Sequence, residues 1–306
     1  MRWIDTIYDL TPIELFDGMY FKRDDKFAPL GLGDINGAKL RQCIWLVDGW
    51  VKQGCKGVVS GSVSQSPQHA FISEICKHYR IGCVITYSKK DIEKSPYLFR
   101  AKRLGAKMLY SKVGYAKTLG ALAKKTLEVL PNHEFLETNI TLEENCNSWS
   151  RIRDFHAVGA EQVKNIPDNI TTLVMPCGSC NSSTSILYGL IKYPKPNIKT
   201  IVLMGIGNHG SYNIEYIEHR LKHISDKTDG MFDWSFEGKE GFRHKMRYEN
   251  LNGTGYCDYS DTFNEKAGSI YFHPRYEGKC IRYFKQYMKD LWNEKTLFWI
   301  VGGNIR

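Results

Sequence analysis

From Gly57 onward, short apolar runs alternate with longer stretches whose apolar positions recur every three to four residues. GVVS (57–60), GCVITY (82–87), KMLYS (107–111) and HEFLET (133–138) read as strands, because short unbroken apolar runs suit strands buried on both faces. Between them, QHAFISEICKHYR (68–80) has helical spacing through Ile72, Ile75 and Cys76. Further helices are expected near 96–104 and from about 115 to 129, the latter stopping at Pro131, which lacks an N–H and fixes φ. The polar stretch TLEENCNSWS (141–150) is the best internal boundary. The rhythm then resumes with helix 152–165, strand 171–175, helix 183–192, strand 199–205 and helix 212–224. A helix near 277–291 and the strand TLFWIV (296–301) precede Gly302 and Gly303. Such alternation predicts an α/β protein with largely parallel sheets. Residues 226–265, rich in charge, glycine and aromatics, fit neither period and read as an insertion or lid. No repeat of solenoid length and no low-complexity tract interrupts the pattern.

Composition narrows the class. With 306 residues, 42% of them apolar and 25% charged, the chain can bury a large core, which excludes a disordered protein. The length suits one large domain or two intimate ones. No apolar run approaches the roughly 18 residues of a membrane helix. MRWIDTIYDLTPIELF carries Asp5, Asp9 and Glu14 where a signal peptide would be uninterruptedly apolar, so a cytoplasmic location is expected. Nine cysteines, an odd number without the dense spacing of a secreted scaffold, read mostly as small core residues in a reducing compartment. The net charge of +9 attracts polyanions.

Four segments carry candidate chemistry. In KRDDKFAPLGLGDINGAKLRQ (22–42), Lys39 follows the flexible Asn36-Gly37 pair and precedes an apolar helical run. A lysine that carries a Schiff base needs that kind of loop-to-helix junction, where it can lose its proton. In MPCGSCNSSTSILYGL (175–190), a strand runs into a helix through Gly178, Ser179, Cys180, Asn181, Ser182 and Ser183. Hydroxyls and free N–H groups at a helix start make a phosphate cradle, and equally an ordinary serine-rich N-cap. Cys177 and Cys180 also form a CxxC, open to a redox reading; zinc would need a second ligand pair, and no other CxxC exists, so no metal is expected. In VVSGSVSQSPQHA (58–70), Ser64, Gln65, Ser66 and Gln68 line a strand-to-helix loop able to grip a carboxylate, or a polar surface turn. Last, FHPRYEGKC (272–280) places Tyr276 and Glu277 at a helix start, as a general acid/base and an anchoring carboxylate or as plain N-terminal residues.

In this order, the segments resemble the tryptophan-synthase-β-like enzymes of pyridoxal 5′-phosphate (PLP), fold type II, nearest the branch of 1-aminocyclopropane-1-carboxylate deaminase and D-cysteine desulfhydrase. NGAKLRQ is similar to the branch's Gly-Gly-Asn-Lys-x-Arg-Lys, FRAKRLGAK (99–107) to its Leu-x-Gly-Ala helix end, GSCNS (178–182) to its phosphate loop, SQSPQ (64–68) to its Ile-Gln-Ser-Asn-Gln loop, and HPRYEGK to Asp-Pro-Val-Tyr-Glu-Gly-Lys. The resemblance implies two domains, 1–51 plus 151–306 and a smaller 52–150, each a mostly parallel sheet flanked by helices. It implies Lys39 as Schiff-base lysine, 178–182 at the cofactor phosphate, Ser66 and Gln68 at the substrate carboxylate, Tyr276 as a catalytic tyrosine, Glu277 at the pyridine nitrogen and, from GTGY (253–256), Tyr256 as another active-site tyrosine. Desulfhydrases tend to place threonines at the positions of Glu277 and Val301, so the arrangement is the deaminase-like one. Pro67 stands where an asparagine touches the ring hydroxyl, and Cys180 and Asn181 replace glycines of the phosphate loop.

The activity expected is chemistry at the α-carbon of an amino acid through Lys39, as a lyase or deaminase on a small amino acid, in a homodimer. The alternative is a PLP-dependent decarboxylase or lyase acting on an amino acid attached to nucleic acid. The +9 charge supports it, as does WSFEGKEGFRHKMRY (234–248), where Lys239, Arg243, Lys245 and Arg247 interleave with aromatics.

Overall fold

The computed structural model describes residues 2–88, 92–136, 149–206, 212–226, 245–252 and 254–303. The first strands form a hairpin. Asp17 and Gly18 both take positive φ (48° and 78°), the two-residue turn whose twist suits antiparallel strands, and join β1 (Ile13–Phe16) to β2 (Met19–Arg23). Then come α1 (Ala38–Lys52), β3 (Gly57–Gly61), α2 (Gln68–Tyr79), β4 (Gly82–Tyr87), α3 (Pro96–Arg103), β5 (Lys107–Tyr110), α4 (Ala116–Leu127) and β6 (His133–Leu136). The chain continues through α5 (Trp149–Ala160), β7 (Thr172–Cys177), α6 (Asn181–Lys192), β8 (Thr200–Gly205) and α7 (Tyr212–Asp226). It closes with β9 (Met246–Asn250), the short pair β10 (Lys266–Ala267) and β11 (Ile270–Tyr271), α8 (Glu277–Tyr287) and β12 (Thr296–Ile300).

Two sheets result. One has the order β5-β4-β3-β6, all parallel. The other runs β1-β2-β12-β7-β8-β9 and is parallel apart from the hairpin. Strand alternation distributes the apolar residues of the larger sheet between two cores. Leu173, Met175, Ile201, Leu203, Leu297 and Trp299 pack with α6 and α7 on one face. Val174, Val202, Met204, Phe298 and Ile300 pack with Phe272, Ile281 and Phe284 on the other. In the smaller sheet, Ile85 and Tyr87 meet Leu98 and Ala101 of α3, while Val59 and Val84 meet Ala123 of α4. A further core packs Leu40, Ile44 and Val47 of α1, Phe71, Ile72 and Ile75 of α2, and Phe155 and Val158 of α5 with Val58 and Leu136 of the smaller sheet.

Differences from the pattern-based expectation have local causes. The helix expected over 152–165 ends at Ala160 and tightens into a 3-10 turn, Glu161–Val163. The strand expected over 171–175 runs on to Cys177 through Pro176, which the sheet accommodates because β12 pairs with β7 only as far as Val174. Within 226–265, β9 adds an edge strand parallel to β8; residues 227–244, with Trp234, Lys239 and Arg243, lie outside the described ones. Arg41, from the NGAKLRQ segment, is a buried clamp: its guanidinium stacks on Phe27 at 3.9 Å and donates to the carbonyls of Ile7 (2.8 Å) and Asp9 (3.0 Å). Among the described residues no helix is long and apolar enough to cross a membrane.

Candidate active site

In parallel sheets ligands gather at the carboxyl ends of the strands. Here three such ends carry sequence-predicted residues: β3 leads into 62–67, β7 into 178–180 and β12 into 301–303. The 301–303 segment is the hub. The Val301 carbonyl accepts the Ala38 N–H (2.9 Å), and the Gly303 N–H donates to Asn36 Oδ1 (2.9 Å). Gly37 takes φ of 108°, and a Cβ there would lie 2.4 Å from the Val301 oxygen, so glycine is required at this contact. The peptide thus pins the loop that starts α1, and Lys39 is the second residue of that helix. Lys39 is half-buried; desolvation lowers its pKa, with Cys43 opposing weakly.

The same peptide receives Glu277. Its Oε1 accepts the Val301 N–H (2.9 Å) and the Gly302 N–H (3.1 Å), while Oε2 is buried with no hydrogen-bond partner. Burial raises its pKa to about 7, against the lowering effect of the backbone donors. Tyr276 precedes it as the N-cap of α8, its ring 4.3 Å from that of His273, and its pKa is pushed well up by burial and by neighbouring Tyr259, to which it hydrogen-bonds. Lys279 holds the segment of Tyr259 by donating to the carbonyls of Asp258 and Tyr259, the latter at 3.0 Å.

Behind Tyr276 runs a relay that no sequence signal marked. The Arg275 N–H donates to His273 Nδ1 (3.2 Å), which puts the ring proton on Nε2, facing Tyr97 Oη at 2.9 Å; Tyr97 in turn donates to the Gly303 carbonyl (3.0 Å). Burial keeps His273 neutral, its pKa down to about 3. Tyr97 lies on α3, so the relay ties the smaller sheet's helices to the hub. Tyr97→Phe should cost about 1–3 kcal/mol, the price of leaving buried polar groups unpaired. Denaturant unfolding of variant and parent measures it; midpoints that coincide would show the relay to be dispensable.

The 178–183 loop has the form of a cradle. Gly178, Ser179 and Ser182 are half-buried, and a Cβ on Gly178 would meet only Ile206, at 3.8 Å. Cys180 caps α6 in the left-handed region (φ 64°), the conformation a glycine would supply freely, and its thiol lies 3.2 Å from that of Cys177. Neither forms a disulfide, and among the described residues no cluster of His, Cys, Asp and Glu is placed to hold a metal. Asn181, at the first position of α6, is buried. Ser183 Oγ donates to the Pro176 carbonyl (3.4 Å), an anchoring bond within the loop. Buried Arg220, on α7, donates to the Ser179 carbonyl (3.1 Å) and places a positive charge behind the loop. An isolated arginine in a predicted helix gives no warning of this.

The 62–67 loop approaches the hub through Pro67, whose ring lies 3.3 Å from where a Gly303 Cβ would be. Ser66 Oγ accepts the Gln68 N–H (3.3 Å), and Gln68 Nε2 is given to Ser60 Oγ (2.9 Å). Ser64 and Gln65 are half-buried, and Ser95 Oγ donates to the Ser64 carbonyl (2.5 Å). Tyr256 is not brought to this cluster. Its ring packs against Tyr283 (5.0 Å), Tyr287 (5.8 Å) and Phe263 (6.4 Å).

Two largely parallel α/β sheets place a lysine, a buried carboxylate and a glycine-serine loop at or next to strand ends. No protein-family model matches the chain. It is 35% identical, over 99% of its length and 84% of the relative's, to the O-seryl-dTMP PLP-dependent decarboxylase of Salmonella phage ViI. Among solved structures it is similar to an ACC deaminase homologue (TM-score 0.74, 16% identity, 99% of this chain and 94% of that one). It is also similar to O-ureido-L-serine synthase (0.65, 12%, 98% and 91%) and to threonine deaminase isoform 2 of Solanum lycopersicum (0.60, 14%, 99% and 88%). The chain belongs to the fold type II PLP-dependent enzymes. PLP is its cofactor, and its chemistry is that of an amino acid.

Proposed function

We propose that this enzyme is a PLP-dependent decarboxylase whose amino-acid substrate is carried on a DNA nucleotide, with seryl-thymidylate as the specific case. One observation carries the reading: the identity with the O-seryl-dTMP decarboxylase runs through 99% of the chain. The residues present fit the cofactor. The buried, partnerless Glu277 Oε2 suits a protonated ring nitrogen. The 178–183 loop, with the α6 N-terminus and Arg220 behind it, suits a phosphate. Lys39, with its ammonium disfavoured by desolvation, suits a covalent attachment. PLP, when bound, supplies an electron sink for the pair left at the α-carbon.

The chain's own groups do the rest. Glu277 is held in one orientation by the Val301 and Gly302 N–H groups. Tyr276, kept as a phenol by burial and Tyr259, gives a proton to the carbon that has lost its carboxylate. The Gln68 amide nitrogen is committed to Ser60, which leaves the 64–68 loop one donor fewer to retain a carboxylate that has to leave. A deaminase acting on a small free amino acid is the second reading, favoured by the Tyr276-Glu277 pattern of HPRYEGK. The two part on products. Incubated with duplex DNA or a mononucleotide bearing O-seryl-thymidine, the holoenzyme should release CO2 and leave the aminoethyl nucleoside in the digest. Ammonia from free amino acids, with seryl nucleotides untouched, would overturn the decarboxylase reading.

A further inference from the structure

Between Gly57 and Leu136 the chain has thirteen Lys and Arg against five Asp and Glu, while the remainder has 29 against 28. Eight of the nine net charges therefore fall within residues 57–136, the stretch that carries the smaller sheet. By contrast, the described end of the 234–248 stretch is partly neutralised, since Arg247 pairs with Glu249.

Where the charge lies is set by packing. Leu119 and Ala123 of α4 are buried, Ala123 against Val59 and Val84. Helical spacing then turns Lys117, Lys124 and Lys125 outward, and all three are exposed. Lys112, in the loop after β5, is exposed too; among the described residues none of these four lysines forms an ion pair, and Lys124 Nζ lies 5.5 Å from the Phe135 ring centroid. Val113 and Tyr115 of the same loop are 44% and 78% exposed, an apolar and aromatic surface set between the charges. This strip is joined to the candidate active site. Thr86 Oγ1 donates to the Leu119 carbonyl (2.8 Å), and a Cβ on Gly61 would lie 2.5 Å from that same oxygen. Gly61 is the last residue of β3, directly before the loop of Ser64, Ser66 and Gln68. Tyr115 and Lys117 thus stand about one helical turn from the strand end that delivers the loop.

We infer that the loop 111–115 and the outer face of α4, with Lys112, Tyr115, Lys117, Lys124 and Lys125, bind the phosphate backbone of the nucleic acid whose modified nucleotide enters the site. This rests on the proposed nucleotide-linked substrate. Lysines spaced along a helix neutralise successive phosphates and release their counterions, and an exposed tyrosine stacks on a base or sugar displaced from the strand.

The test is binding of an unmodified DNA duplex to the holoenzyme, followed by fluorescence anisotropy across a salt series, which needs no turnover. The variant Lys112→Ala/Lys117→Ala/Lys124→Ala/Lys125→Ala should bind at least roughly tenfold more weakly at low salt. Its log–log salt slope should be shallower by about three to four, close to one per lost phosphate contact. A control with Lys222, Lys266, Lys289 and Lys295 changed to alanine removes the same charge from exposed positions elsewhere and should keep the parent slope to within about one. Both should keep the cofactor's visible absorbance and the parent's rate on a seryl mononucleotide. Equal losses in the two variants, an unchanged first variant, or a parent that binds anionic vesicles but no DNA would each overturn the inference. Release of CO2 from the mononucleotide by a parent that binds no DNA would overturn it while leaving the decarboxylase reading intact. DNA binding through these lysines with no CO2 from any seryl nucleotide would support the surface and sink that reading.

Discussion

Lys39→Ala should abolish turnover, by roughly four orders of magnitude or more, the scale on which loss of a covalent catalytic group is felt. The prediction rests on position and on exclusion. Position first: among the described residues Lys39 is the one candidate lysine at the strand-end hub, set at the start of α1 by the Ala38–Val301 bond and by the glycine that allows it. Cys43, one turn further on, has its pKa driven up to about 12 by burial, and its opposing effect on Lys39 is secondary to desolvation. Exclusion second: among the described residues the two fully buried lysines are committed elsewhere. Lys22, with its pKa lowered to about 8 by burial, donates to the Thr11 carbonyl (2.8 Å) and Asn165 Oδ1 (2.7 Å). Lys279 is spent on the carbonyls of Asp258 and Tyr259. Borohydride treatment of the holoenzyme followed by peptide mass analysis should therefore place the cofactor on Lys39. The alanine variant should fold with unchanged or raised stability, since a desolvated amine is removed. A label on Lys22 or Lys279, or appreciable turnover by the variant, would overturn the assignment.

Much of this architecture was legible because its strands are buried on both faces and bounded by sharp breaks. GCVITY became β4 over the same residues, and the helix expected over 68–80 is Gln68–Tyr79. The hairpin was missed although IELFDGMYFKR contains its Asp-Gly turn; an alternating pair of short strands gives a weaker period than a continuous apolar run. Local motifs single out Lys39 and Glu277, and the structure brings the loop before one and the carboxylate of the other onto the same 301–303 peptide. What stayed hidden is long-range. Tyr97 meets His273 across 176 residues, and Asn36 meets Gly303 across 267. No local period encodes such contacts. Tyr256 shows the converse, a motif-level match that packing carries elsewhere, into the aromatic ladder of Tyr283 and Tyr287.

Glu277→Gln should leave PLP bound yet slow turnover about a hundredfold or more, typical of losing one positioned acid–base or electrostatic group. The proposed attachment through Lys39 and the 178–183 loop would not need the carboxylate, whereas the proposed protonation of the ring nitrogen would. The apoprotein offers a readout independent of activity. A carboxyl whose pKa rises from 4.5 unfolded to about 7 folded favours the folded state while protonated. Its contribution is complete below about pH 4.5 and is lost as pH climbs through 7. At 1.36 kcal/mol per pKa unit, the loss between about pH 4 and pH 8 is roughly 3 kcal/mol. Buried His69 and His273, with pKa values lowered to about 4 and 3, act in the opposite sense, gaining stability as pH rises toward 6.5. They are shared by parent and variant, so they cancel in the difference. Denaturant unfolding of both apoproteins across this range should therefore show the parent losing stability relative to Glu277→Gln as pH rises. Loading with PLP should remove that relative loss, because a cationic ring nitrogen beside Oε2 pulls the carboxyl pKa back down. Parallel pH profiles for the two apoproteins, together with an unchanged turnover rate, would reduce Glu277 to a backbone brace for residues 301 and 302.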